Sequence, residues 1–377
     1  MHDVDVTVVG AGAVGLACAY EVAPLVKNLV ILEKHAKPGT QISSRNSEVI
    51  HAGLYYPPDH LKTRLCIEGR RYLLDFCRQH QIPFALIGKL VVATNQQELQ
   101  SIQNLMHNAI NCGIEDLSML SREEIKKLEP HIEGAGALSS PGTGIIDSHR
   151  LIKRLESLCL ALGANMLYKT CLAGIDQTSR GFTCTVKAPD NTLYSFTSRV
   201  LINAAGLNSA HIAAIAGIDI SAASYRLYPV KGEYFRVVSG KHRLVNSLIY
   251  PSPQRHLAGL GIHATKDLSG ALRLGPNAFY VNELDYDVNP EHAGEFYESI
   301  HDIMPFLAKK DLVPDMAGVR PKLQAPGAPI RDFVVAHESS LGINGLVNLI
   351  GIESPGLTGC LAIGKMVCSL LRDAALI

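Results

Sequence analysis

Three short runs in the 377-residue chain combine residue types and spacings that could do chemistry. The first is Gly10-Ala11-Gly12-Ala13-Val14-Gly15, followed roughly twenty residues on by Glu33 and Lys34. Glycines so placed permit a tight turn, close approach of backbone to a pyrophosphate and close helix packing, and an acid at that distance accepts hydrogen bonds from ribose hydroxyls. The second is SSRNSEVIHAGLYY, residues 43–56, in which a polar stretch leads to His51 and two tyrosines. With an ordinary pKa of about 6.5, a histidine is the simplest group to accept a proton near neutrality. The third is the turn SPGLT, 354–358, which opens a helix whose first amides favour an anion.

The elements that must hold these runs follow from periodicity. DVTVVG reads as a buried strand, AVGLACAYEVA as a helix closed by Pro24 and NLVILEK as a second strand, so the glycine run sits at the first turn of a βαβ unit. Helical spacing recurs over 62–80, 95–112 and 147–163, where Leu151, Leu155, Leu158 and Leu162 form a core stripe. SREEIKKLEP begins with a Ser-x-x-Glu capping box and ends in Pro130, which predicts a short helix. From 164 to 206 the pattern becomes β-like, and its last strand ends in the small residues Ala204, Ala205 and Gly206. A run of longer strands over 225–285, then a helix near 290–308, does not belong to a simple doubly wound domain. FVVAHE, LVNLIGI and a final helix return to the first domain. The expected class is α/β, with a Rossmann-like nucleotide-binding domain and an inserted antiparallel-sheet domain.

Composition narrows the function. A hydrophobic content of 47% supports a large core and two domains, and 35 basic residues balance 35 acidic ones, so no global field draws the chain to nucleic acid. The nine cysteines never stand in C-x-x-C spacing, which argues against zinc and disulfide frameworks and for a reducing compartment. Asp3 and Asp5 occupy the place where a secretory signal needs basic residues. The expectation is a cytoplasmic protein without a metal site, with peripheral contact on the inner face of the membrane left open.

After residue 33 the chain enters KPGTQISSRNSEVIHAGLYY, a polar loop without strand character, where a nicotinamide enzyme would continue β-α-β. Here the chain resembles the FAD-dependent oxidoreductases of the glycine oxidase and D-amino acid oxidase superfamily, and most of all the L-2-hydroxyglutarate dehydrogenase/oxidase family. The likeness rests on GAGAVG with Glu33, N-S-x-V-I-H-x-G-x-Y-Y at 46–56, INAAG at 202–206, LGPNA at 274–278, GVRPKL at 318–323 and IESPGLTGCLAIG ending at 364. Arg45 departs from it. That family usually has histidine before the N-S pair, and SSRNS is closer to flavin-dependent glycerol-3-phosphate dehydrogenases.

The resemblance implies non-covalent FAD bound by residues 1–85, 141–215 and 316–377, with a substrate domain formed by 86–140 and 216–315. Gly10, Gly12, Ala13, Val14, Gly15, Glu33 and Lys34 would hold the ADP half, with Leu172 at the adenine and Ala204, Ala205 and Gly206 near the pyrophosphate. Ser43, Ser44, Arg45, Asn46 and Ser47 would pass beside the flavin, and Ser354, Gly356, Leu357 and Thr358 would aim amides at its O2 edge. It implies oxidation of a short 2-hydroxy acid, L-2-hydroxyglutarate first, by hydride transfer to flavin N5 with electrons passed to a quinone or O2. His51 or His263 would be the base and Arg320 the carboxylate clamp, because a guanidinium grips a carboxylate bidentately. Tyr56 and Tyr250 would donate phenol hydrogen bonds, and Arg45, Lys231 or a protonated histidine would supply the second cation a diacid needs. Other readings stay open: a glycerol-3-phosphate dehydrogenase, a glycine- or sarcosine-type amine oxidase, or a non-catalytic flavin-binding redox sensor.

Overall fold

Residues 3–253 and 261–377 are described by the structure, a computed structural model. Val4–Val9 and Leu29–Glu33 are aliphatic runs buried on both faces, as central parallel strands must be. Between them the helix Ala13–Val22 starts at Gly12, whose extended backbone forms the N-cap, and gives way at Ala23-Pro24 to a short 3-10 turn. Five strands run parallel in the order Leu346–Ile350, Leu193–Asn203, Val4–Val9, Leu29–Glu33 and Asn165–Tyr168. The N-terminal half of Leu193–Asn203 also carries an antiparallel meander, Gly181–Lys187 and Cys171–Thr178, and Val334–His337 lies antiparallel on Leu346–Ile350.

The C-terminal helix Gly356–Asp373 packs across Ala13–Val22 and Leu61–His80. Glycines set how close these helices come. A Cβ at Gly364 would stand 2.6 Å from the carbonyl oxygen of Ala17, and one at Gly69 2.6 Å from Cα of Gly359. That approach presents the first turn of the C-terminal helix to the carboxyl ends of the parallel strands. Among the described residues no helix is long and apolar enough to cross a membrane.

The second sheet joins Leu312–Lys322 to Tyr228–Val237, then continues through Leu272–Leu274, Ala264–Lys266, Leu248–Pro251, Lys89–Ala93, Gly136–Ser140 and Ser118–Ser121, with Phe279–Tyr280 on the inner edge of Tyr228–Val237. Its pairs are antiparallel except Leu248–Pro251 with Lys89–Ala93. Leu312–Lys322 pairs along its whole length with Tyr228–Val237, so the boundary expected at 316 falls inside a strand of this sheet. The short helix Ala293–Ile300 buries Phe296 and Ile300 against it.

Helices form at Leu61–His80, Gln96–Asn111 and Ser148–Ala161, and Ser121 caps Arg122–Leu128 with the reciprocal Glu124 bond. The loop after Lys34 is not wholly without strand. Val49–Ile50 pairs with Gly144–Ile146, which also pairs with Phe84–Ala85. Two residues are too few to show period-two alternation, and this pairing fixes where His51 begins. Much of the strand expected at 256–265 lies outside the described residues, and its described remainder places His263 just before Ala264–Lys266.

Candidate active site

A cavity of about 820 Å³ lies between the two sheets, bounded by the carboxyl ends of the parallel strands on one side and the second sheet on the other. Gly10, Gly12, Ala13, Val14, Gly15, Glu33, Lys34, Leu172, Ala204, Ala205 and Gly206 line its first half. Gly10 has φ +105°, and a Cβ there would stand 2.6 Å from the Ala204 carbonyl oxygen, so backbone closes the turn. The Glu33 carboxylate accepts from the amides of Ala11, at 2.9 Å, and His35, at 2.8 Å, which fixes it at the cavity wall. This half fits a dinucleotide. It offers a backbone turn at a helix N-terminus for a pyrophosphate and an anchored acid for ribose hydroxyls.

The loop beside it is organised by its own polar groups. The Ser43 hydroxyl accepts from the Ala13 amide at 3.0 Å, capping a helix whose N-cap glycine has no side chain. Asn46 donates to the carbonyls of Ile42 and Ser43 and accepts from the Glu48 amide. Ser43, Arg45, Asn46 and Ser47 line the cavity, whereas the Ser44 hydroxyl turns back to the carbonyls of Thr40 and Gln41 and stays outside it. Ser354, Gly356 and Leu357 line it too. Thr358 does not: its buried hydroxyl donates to Val49 O and accepts from the His51 amide at 3.1 Å, pinning the strand that carries His51.

At the far end stand His51, Tyr56, Tyr250, His263 and Arg320. The His51 Nε2 lies 3.2 Å from the Ser354 hydroxyl. Burial, together with the charges of Lys89 and His263, holds its imidazole well below the usual range. His263 stacks on Tyr250 with ring centroids 3.8 Å apart, and its Nδ1 lies 2.8 Å from the Gly261 carbonyl oxygen. Since a carbonyl only accepts, that contact puts the proton on Nδ1 and leaves Nε2 free. Burial lowers His263 to about 3, assisted by Lys89 and Arg320 and opposed by the Gly261 bond. Both rings are therefore neutral near pH 7. The Tyr56 hydroxyl donates to the Ser354 carbonyl at 2.9 Å. Among the described residues, Tyr250 Oη and Arg320 Nη1 are buried without a hydrogen-bond partner, although such groups ordinarily have one.

The cations differ from those expected. Lys231 stands outside the cavity. Val230 is the register partner of Arg320, so the next residue, Lys231, faces the other side of the sheet, where its ammonium bonds Asp285 and the Asp287 carbonyl. Arg45 reaches the cavity wall, but its guanidinium lies 4.3 Å over the Tyr286 ring and donates to Ala317 O. Lys62 and Lys322, both unforeseen, line the cavity with Arg320, and both bond the same oxygen of buried Glu353, at 3.0 and 3.3 Å. Burial would raise Glu353, but Lys62, Lys322 and Arg320 hold it below the usual carboxylate range. A further unforeseen lysine, Lys89, lies beneath the rings, 4.0 Å from the Tyr250 centroid and 5.0 Å from that of Tyr55. It is buried without a hydrogen-bond partner among the described residues, beside a small void shared with His51, and burial lowers it to about 7.

Residues 5–370 match the family described as FAD dependent oxidoreductase. The chain belongs to this family. The match covers both sheets, and the protein is an FAD-dependent oxidoreductase. Relatives named L-2-hydroxyglutarate dehydrogenase include a mitochondrial protein of Arabidopsis thaliana, 34% identical over 97% of this chain and 83% of its own. One from Escherichia coli K12 is 29% identical over 98% of this chain and 93% of its own. Such identity over nearly the whole length places this oxidoreductase in the L-2-hydroxyglutarate dehydrogenase family anticipated from its motifs. Among solved structures, a dithionite-reduced L-alpha-glycerophosphate oxidase from Mycoplasma pneumoniae with FAD bound superposes with a TM-score of 0.86 and 27% identity, covering 97% of this chain and 94% of that one. Glycine oxidase from Geobacillus kaustophilus, at 20% identity and a TM-score of 0.81, shares the fold.

Proposed function

We propose that this oxidoreductase converts L-2-hydroxyglutarate to 2-oxoglutarate, with His51 as the base and Arg320 as the clamp of the carboxylate beside the reacting carbon. Two neutral histidines and a guanidinium with a buried, unpartnered nitrogen share one cavity, and that combination carries the reading. Non-covalently bound FAD supplies the acceptor for the hydride that leaves the substrate carbon. Arg320 fixes the carboxylate and so orients the carbon and its hydroxyl. The hydroxyl proton passes to His51, which is unprotonated at pH 7 and has the Ser354 hydroxyl beside Nε2 as a next station. Among the described residues, His263 has no such neighbour at Nε2. Its ring, fixed by Gly261 and stacked on Tyr250, forms a rigid wall against which the substrate carbon is oriented. A quinone, met by peripheral membrane contact, or O2 takes the electrons afterwards.

Lys89 tunes this base. Its charge lowers both histidines, so Lys89→Met is expected to raise their pKa values and move the acid limb of the kcat/KM profile to higher pH. Activity near pH 5 should fall roughly 3- to 10-fold relative to its alkaline plateau. An acid limb that stays in place in a folded, FAD-replete variant would rule this role out.

The glycerophosphate oxidase likeness and the three cations together favour a second reading, glycerol-3-phosphate as substrate. Anaerobic titration separates the two. L-2-hydroxyglutarate should bleach the oxidised flavin, and glycerol-3-phosphate and glycine should not; bleaching by glycerol-3-phosphate alone replaces the first reading with the second.

A further inference from the structure

The cluster formed by Lys62, Lys322 and Glu353 has a charge balance that the fold does not require. Two ammonium groups meet one carboxylate oxygen, and Arg320 on the same strand as Lys322 adds a third cation. All four side chains line the cavity. With these groups ionised, one acid against three bases leaves two positive charges in a site largely shut from water, and uncompensated buried charge is costly. Lys62 is only 2% exposed, and Lys322 and Glu353 are nearly as enclosed. Lys322 follows Arg320 by two positions on a strand, so both side chains leave the same face, about 6.6 Å apart along it. Two cations rooted at separate positions on one face can each take one carboxylate of an extended five-carbon diacid.

We infer that Lys62 and Lys322, held in place by Glu353, form the subsite for the carboxylate remote from the reacting carbon and set the preference for a five-carbon 2-hydroxy diacid. This rests on the proposed function and adds to it where the second carboxylate goes and why a monoacid is a poor substrate. Glu353 is a positioning residue here. By accepting from both lysines it keeps their ammonium groups together at the wall, and its negative charge limits their repulsion in the empty site.

The test compares L-2-hydroxyglutarate with L-2-hydroxypentanoate, which has the same carbon chain and no remote carboxylate, in anaerobic flavin reduction. The wild type should strongly prefer the diacid; if it oxidises neither, the proposed function fails before this inference is reached. Lys322→Gln and, separately, Lys62→Gln should each lower kcat/KM for the diacid about 10- to 100-fold, chiefly through KM. Their loss on the monoacid should be at least tenfold smaller, and Lys322→Arg should recover part of the diacid activity. Equal losses on both substrates would mean that the cluster only supports the fold, and no loss on either would mean that the remote carboxylate lies elsewhere. If a glutamine variant does not fold, Lys322→Arg still decides the matter: the subsite requires it to change the diacid KM by a larger factor than the monoacid KM, and an equal change in both overturns it.

Discussion

His51→Ala should slow reduction of the flavin by L-2-hydroxyglutarate roughly 10²- to 10⁴-fold in anaerobic single-turnover measurements, the range expected when a positioned base is removed. FAD content should not change. Among the described residues the polar contacts of His51 are with Ser354, Thr358 and Cys66, none of them in the glycine turn, and its backbone contacts survive the substitution. His263→Ala should cost less, because that ring orients and does not carry the proton away. The argument is one of onward transfer. A base must release what it accepts, and His51 has a hydroxyl 3.2 Å from Nε2 and Lys89 across a small void, whereas the recorded polar bond of His263 ends at a carbonyl. If His263→Ala proves the slower enzyme, the two roles are exchanged; if both variants reduce flavin at the wild-type rate, neither histidine is the base.

The cofactor half of the site was legible in the sequence, and the cation pattern of the substrate half was not. Glycine spacing, Glu33 and the SPG turn act through backbone geometry within a few residues, so local reading finds them. Arg320 and His51 could be picked out because they stand inside GVRPKL and the N-S-x-V-I-H run. Lys322 lines the cavity and Lys231 does not, for a reason that the sequence partly held. Once 312–322 is taken as a strand, period two sets Lys322 on the face of Arg320. Lys231 needed the cross-strand register, Val230 opposite Arg320, to be seen pointing away. Lys62 and Lys89 carried no local signal at all. One begins a helix and the other a strand, and each reaches the site only through contacts with residues far along the chain, Glu353 in one case and Tyr250 in the other. Arg45, the departure from the family pattern, is absorbed by Tyr286 and Ala317, so its charge ties the loop after Ser44 to the second sheet and to the loop that carries Tyr286. Its backbone matters as much: a Cβ at Gly318 would stand 2.3 Å from the Arg45 carbonyl oxygen, which explains the glycine at the head of GVRPKL.

Arg320→Ala should lower kcat/KM about 10²- to 10³-fold, most of it in KM, since removing one partner of a buried charge pair is costly. The effect should be large because of what Arg320 lacks. Its Nη1 is buried without a partner among the described residues, so the enzyme keeps a donor at the cavity wall whose bond a ligand carboxylate can complete. Arg320→Lys should recover only part of the loss, because an ammonium is a point charge and cannot reproduce two parallel bonds to one carboxylate. Comparison with the Lys322 variants then assigns each carboxylate. A clamp beside the reacting carbon serves every 2-hydroxy acid, so Arg320→Ala should damage oxidation of L-2-hydroxypentanoate and L-2-hydroxyglutarate alike, whereas Lys322→Gln should damage the second at least tenfold more than the first. If Arg320→Ala instead spares the monoacid, the substrate lies in the reverse direction, with the reacting carbon toward Lys62 and Lys322. His51 would then have to be re-examined as base, because the hydroxyl it serves would sit at the other end of the molecule.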